Sequence, residues 1–77
     1  MKRILVVDDQ EEVRMVYTLL FCDEDVDVLE AEDGMVALEI VKSQPIDLVL
    51  SDCKMPRMSG IELMHEAQRV KPELPFV

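Results

Sequence analysis

The chain has 77 residues, enough for one small domain, and its 49% hydrophobic and 32% charged content is typical of a globular protein. A net charge of -9 argues against direct binding to nucleic acid or to an anionic membrane surface, because both need a basic face. The two cysteines do not have the spacing of a zinc site or a disulfide framework. No apolar run has the length of a signal-peptide core or a membrane span, so we expect a cytoplasmic protein.

Three apolar segments predict β-strands. Residues 4–7 and 46–51 are near-continuous runs of Val, Ile and Leu, which is typical of strands buried on both faces of a parallel sheet. Residues 26–31 alternate apolar and acidic side chains, which predicts a more exposed strand. Residues 74–77 have the composition of the first residues of a fourth strand, where the given sequence stops.

Apolar residues at helical spacing follow each of the first two strands. The first helix opens at Gln10, and its predicted apolar stripe consists of Val13, Val16, Tyr17 and Leu20. The second helix covers residues 35–42, follows a predicted N-cap at Asp33 and ends before Pro45. Its predicted packing face consists of Ala37, Leu38 and Val41.

A third helix follows the third strand. Ser59 and Glu62 have the spacing of a capping box, which marks the start of a helix. The predicted buried face consists of Ile61, Met64, Ala67 and Val70, and the helix ends before Pro72. The resulting βαβαβα order predicts an α/β fold with a parallel sheet, because strand–helix alternation with short connections favours parallel neighbours.

Carboxylates follow two of the predicted strands. Asp8 and Asp9 come directly after the first strand, and Asp52 comes after the third. The carboxyl ends of parallel strands lie at one edge of a sheet, and ligands of open α/β sheets bind at that edge. Clustered carboxylates repel one another, and Mg²⁺ is the counter-charge that prefers such oxygen ligands. Each aspartate alone is more simply a helix start or a strand end, but the three together favour a site.

The chain resembles the receiver domain of two-component response regulators, which has a flavodoxin-like parallel sheet with strand order 2-1-3-4-5. The resemblance extends over the whole chain and rests on four motifs in order. These motifs are residues 4–9, residues 31–34 with Ala37 and Leu38, residues 47–52, and Met55-Pro56 with residues 58–60.

This resemblance implies a signalling module rather than an enzyme. Asp52 would accept a phosphoryl group from the phosphohistidine of a sensor histidine kinase. Mg²⁺ would be coordinated directly by Asp9, largely through water by Asp8, by Asp52, and by the backbone carbonyl of Lys54. Gly60 would relieve crowding in the turn that follows the site.

The chain departs from the family pattern in its length. Receivers of this family carry a Ser or Thr after the fourth strand and a Lys after the fifth, and neither position occurs within these 77 residues. We therefore expect residues 1–77 to be a single truncated receiver domain, with a 2-1-3 sheet and a fourth-strand stub. We also expect weak or absent phosphorylation and switching, and a homodimer that completes the open sheet edge.

Two other functions remain open from the sequence. The acidic residues also suit a Mg²⁺-dependent phosphohydrolase with an aspartyl nucleophile, although such enzymes typically carry Asp-x-Asp after the first strand, whereas this chain has Asp8-Asp9-Gln10. Alternatively, the chain is a non-catalytic dimerisation or interaction module whose acidic residues are unused.

Overall fold

The strands and helices alternate along the chain in the predicted order. The computed structural model describes residues 2–21, 25–52 and 58–77. Within these ranges it contains three strands and three helices: β1 Lys2–Val7, α1 Glu11–Leu20, β2 Val26–Ala31, α2 Gly34–Ser43, β3 Leu48–Ser51 and α3 Gly60–Val70. The predicted α/β fold class is confirmed.

The three strands form one parallel sheet with the order β2-β1-β3, as predicted. In the pairing register, Val7 at the end of β1 lies beside Ala31 of β2 and Ser51 of β3. The C-terminal segment pairs with the outer edge of β3, because Val77 N donates to Val49 O and Ser51 N donates to Val77 O. These residues continue the sheet as the expected stub of a fourth strand.

The third strand begins later than the sequence predicted. The ladder starts at Leu48, not at Ile46. Asp47 instead joins the chain to β1 through two hydrogen bonds, since its backbone N donates to Arg3 O and its Oδ2 accepts from Arg3 N, both at 2.8 Å. A side-chain oxygen thus takes the place of a backbone acceptor just before the strand.

The main hydrophobic core lies on one face of the sheet, between the sheet and helices α2 and α3. Leu5, Val7 and Val49 provide the sheet side of this core. The α2 side consists of Ala37, Leu38 and Val41, which confirms the predicted packing face. The N-cap prediction for α2 is also confirmed, because Asp33 Oδ1 accepts from Val36 N at 2.9 Å.

The predicted buried face of α3 is partly wrong. Ala67 is buried as expected, but Ile61 is 59% exposed and Val70 is 46% exposed, while Leu63 is fully buried. Leu63 and Ala67 are one helical turn apart and belong to the core shared with α2. The side of α3 that carries Ile61 and Met64 instead borders an open groove beside the C-terminal segment.

The apolar stripe that the sequence predicts on α1 is not buried in the structure. None of the ten residues of α1, all of which are described, is buried, and Leu20 is 66% exposed. Alternation along β1 directs Ile4 and Val6 to the face opposite the main core, where α1 lies. Helices α2 and α3 pack on the other face, so α1 is the sole described helix on its side. No described helix has both the length and the hydropathy needed to cross a membrane.

Candidate functional site

The two acidic segments lie at the same edge of the sheet because their strands end in register. Asp8 N donates to Ala31 O at 3.1 Å, and Asp52 N donates to Val7 O at 3.0 Å. Each aspartate therefore follows the last paired residue of its strand, Val7 in β1 or Ser51 in β3. This backbone pairing brings residues that are more than forty positions apart in sequence to one place.

The side chains of Asp8, Asp9 and Asp52 form a carboxylate cluster. One carboxylate oxygen from each lies within 4.8 Å of the other two. Asp8 is the most buried of the three, whereas Asp9 and Asp52 are exposed. Two unit charges about 4 Å apart repel by roughly 1 kcal/mol in water and by roughly 4 kcal/mol at an effective dielectric constant of 20. A cluster of this charge favours binding of a divalent cation.

The donor set fits Mg²⁺. All three side chains supply hard oxygen donors, and the exposure of two of them leaves room for water ligands, which Mg²⁺ usually retains. Asp8 Oδ1 also accepts a hydrogen bond from Gln10 N at 2.9 Å, which orients this carboxylate at the start of α1. The fourth ligand implied by the family resemblance, the carbonyl of Lys54, lies outside the described residues.

An open cleft adjoins the cluster on the side of α1. Its walls include Asp8, Gln10 and Tyr17 on one side and Asp52 and Val77 on the other. The exposed carboxylate of Asp52 is therefore accessible from solvent, which an acceptor of a transferred group requires.

Gly60, the first residue of α3, lies against the backbone of Asp52. A methyl group at this position would overlap Asp52 O and would lie 3.1 Å from Ser51 Oγ. The absence of a side chain thus allows α3 to begin directly beside the site. Ser59 caps the helix, since its Oγ accepts from Glu62 N at 3.2 Å, which is half of the predicted capping box.

The sequence interpretation did not identify Arg14 as part of the site. Its Nη1 donates to the backbone O of Asp8 at 2.6 Å, and its Nε donates to Glu30 Oε1 at 3.2 Å. The available signal was weak: Arg14 is the sole basic residue of a helix whose other residues are mostly apolar or acidic. Its partner Glu30 is sixteen residues away, which no local pattern reveals.

The comparisons with known proteins identify the family. Residues 4–77 match the model of the response regulator receiver domain. The chain belongs to the response regulator receiver domain family. A curated relative, sporulation initiation phosphotransferase F of Bacillus subtilis, is 41% identical over 63 residues, which are 82% of this chain and 51% of that protein.

Solved structures share the fold as well. The response regulator TrrA of Thermotoga maritima, solved in complex with Mg²⁺-BeF, has a TM-score of 0.92 and 37% identity, covering 99% of this chain and 66% of that one. A complex of the histidine kinase ThkA with TrrA also matches, with a TM-score of 0.91, 37% identity and the same two coverages, 99% and 66%. The chain thus spans about half of the curated relative above and just under two thirds of these solved chains.

Proposed function

We propose that this chain is the phosphoacceptor part of a two-component signalling system and that Asp52 receives the phosphoryl group. The observation that carries the proposal is the carboxylate cluster, in which Asp8, Asp9 and Asp52 lie within 4.8 Å at the carboxyl edge of the sheet. Membership of the receiver family supports this assignment, since all three aspartates lie within the residues that match the family model.

The proposed reaction is a single transfer rather than a catalytic cycle with turnover. An oxygen of the Asp52 carboxylate attacks the phosphorus of a kinase phosphohistidine. The new O–P bond forms as the P–N bond breaks, and the released imidazole nitrogen takes up a proton. The exposure of Asp52 gives the donor access to its carboxylate. Bound Mg²⁺ would neutralise charge on the phosphoryl oxygens.

The three aspartates have different proposed roles toward the metal. Asp9 and Asp52 are exposed at the edge and suit direct coordination. Asp8 is more buried, and its Oδ1 already accepts a hydrogen bond from Gln10 N. This arrangement suits contact with the metal largely through water. The carbonyl of Lys54 is proposed as a further ligand from the family motif alone.

The proposed partner is a sensor histidine kinase. The match to a response regulator solved together with the histidine kinase ThkA supports this class of partner. The net charge of -9 favours a basic partner surface over nucleic acid. We further propose that residues 1–77 form one receiver unit, corresponding to the N-terminal part of the family fold, and that it acts as a cytoplasmic protein.

Acetyl phosphate tests the phosphoacceptor assignment. We expect a Mg²⁺-dependent phosphoryl adduct of low occupancy on the wild-type chain by intact-mass analysis, and none on Asp52→Asn. Glu39→Gln, which removes an equal charge from the exposed surface of α2, is the matched control and should behave as wild type. An adduct on Asp52→Asn as abundant as that on the wild-type chain would refute the assignment, and a stable, stoichiometric wild-type adduct would refute the expectation that phosphorylation is weak.

The same samples distinguish an acceptor from a hydrolase. A receiver should show no steady release of product from a chromogenic phosphate ester. Sustained, Mg²⁺-dependent turnover that Asp52→Asn abolishes would instead establish a phosphohydrolase with an aspartyl nucleophile.

A further inference from the structure

We propose that Arg14 is a positioning residue that holds the turn between β1 and α1 so that Asp8 and Asp9 face Asp52. This inference rests on the proposed Mg²⁺ site, and it assigns to Arg14 a role that lies outside the metal's own ligands.

Arg14 connects three elements of the fold. It belongs to α1, its Nη1 donates to Asp8 O at the end of β1, and its Nε donates to Glu30 on β2. The same glutamate accepts from Thr18 Oγ1 through Oε2 at 3.4 Å. The Arg14 side chain is only 15% exposed, and a guanidinium donates in a fixed fork, so both of its bonds constrain one geometry.

The hydrogen bond from Arg14 to Asp8 O restrains the peptide group that joins Asp8 to Asp9. The backbone N of Asp8 is already held by Ala31 O, and the carbonyl O of Asp8 is held by Arg14 at 2.6 Å. With both ends of Asp8 fixed, the peptide plane between Asp8 and Asp9 is fixed too. That plane fixes the position of the Asp9 Cα, from which the Asp9 side chain leaves the backbone.

Removal of the Arg14 charge and loss of its positioning role should change Mg²⁺ binding in opposite directions. Arg14 places a positive charge beside a cluster that is proposed to bind a dication, so its removal should strengthen Mg²⁺ binding through the charge term. Loss of positioning should weaken binding. The sign of the change therefore separates the two effects.

Titration calorimetry with Mg²⁺ alone tests the proposal on the 77-residue chain. We expect Arg14→Gln to weaken Mg²⁺ binding about tenfold, the lower end of the loss typical for residues that support metal ligands. Arg14→Lys keeps the charge but cannot donate in the same fork, so we expect a smaller loss that does not reach wild-type affinity. Unchanged or tighter binding by Arg14→Gln would overturn the proposal.

Arg69→Gln is the matched control. Arg69 lies exposed on α3, where it pairs with Glu66 at 3.4 Å, and its replacement removes the same charge from another part of the surface. Its Mg²⁺ affinity should equal that of wild type or exceed it slightly. If Arg69→Gln weakens binding as much as Arg14→Gln does, the specific role of Arg14 is refuted.

Variants of Glu30 test the same network if Arg14→Gln fails to fold, which far-UV circular dichroism reports. Glu30→Gln and Glu30→Ala remove the same charge, but only glutamine retains an acceptor oxygen for Arg14 Nε. We expect Glu30→Ala to bind Mg²⁺ more weakly than Glu30→Gln, and equal affinities would contradict the positioning role. Failure of the wild-type chain to bind Mg²⁺ would refute the proposed metal site itself.

Discussion

Asp8 is the most buried of the three aspartates, and it forms hydrogen bonds through both its side chain and its backbone. Its carboxylate accepts from Gln10 N, its backbone N donates to Ala31 O, and its carbonyl accepts from Arg14. Asp9 is exposed beside it and is the acid whose charge can be removed with the least damage to these bonds. The repulsion within the cluster is therefore best measured at Asp9.

Asp9→Asn should stabilise the metal-free chain. The substitution keeps the side-chain size and removes one of three neighbouring charges. Because the position is exposed, the free energy of unfolding should rise by at most about 1 kcal/mol. For a domain of this size that corresponds to a rise in Tm of about 4–8 °C. Thermal denaturation in EDTA measures the change, with Glu39→Gln as the control for net charge.

Magnesium should have the complementary effect. Added Mg²⁺ should raise the Tm of the wild-type chain, because a ligand that binds only the folded state stabilises it, and the rise should be smaller for Asp9→Asn. A lower Tm for Asp9→Asn in EDTA would show that repulsion in the cluster is not a significant cost to folding.

Helix α3 carries apolar side chains on both its buried face and its exposed face. Leu63 is fully buried between α2 and the sheet, whereas Ile61, two residues earlier, is 59% exposed. The capping residue Ser59 fixes where the helix starts, and the contact of Gly60 with Asp52 fixes how closely it approaches the site. Both constraints act at its N-terminus, and the burial of Leu63 and Ala67 identifies the face of α3 that reaches the core.

Leu63→Ala and Ile61→Ala should therefore differ strongly in stability. Removal of the buried Leu63 side chain leaves a cavity and should cost about 2–5 kcal/mol of the free energy of unfolding. Ile61→Ala should change it by no more than about 0.5 kcal/mol, as at ordinary surface positions. Urea denaturation followed by circular dichroism compares them, and similar losses would mean that Ile61 is packed in solution.

At the scale of the whole molecule, the apolar surface is unevenly covered. The face of the sheet under α2 and α3 carries the main core, while α1 on the opposite face exposes large apolar side chains. The outermost pairing segment of the described sheet ends at Val77, which is 76% exposed. Exposed apolar edges and faces of this kind favour association with another chain.

We predict that the chain forms a homodimer through the sheet edge at high micromolar concentration. Light scattering coupled to size exclusion measures this. Val77→Lys should weaken the dimer several-fold, since a lysine on an edge strand opposes pairing. Leu20→Lys, which places the same charge on α1, should leave it intact. A wild-type monomer would refute self-association, and dissociation by Leu20→Lys alone would place the interface on α1 instead.

The sequence by itself determined the features that depend on near neighbours in the chain. The buried strand β1, the cap at Asp33 and the packing face of α2 were all predicted, because composition, capping and periodicity are local properties. The parallel sheet was predicted from strand–helix alternation with short connections, whereas the strand order was implied by the family resemblance alone.

Only the tertiary structure decided what covers each apolar face and what holds the acidic turn. Periodicity marks an apolar stripe on α1 but does not reveal whether another element packs on it, and Val16, Tyr17 and Leu20 of this stripe are exposed. The contact of Arg14 with Glu30 joins α1 to β2, and its contact with Asp8 reaches the end of β1; no local sequence pattern reveals these contacts. Burial and long-range hydrogen bonds depend on how elements are arranged in space, which residue spacing within one element does not specify.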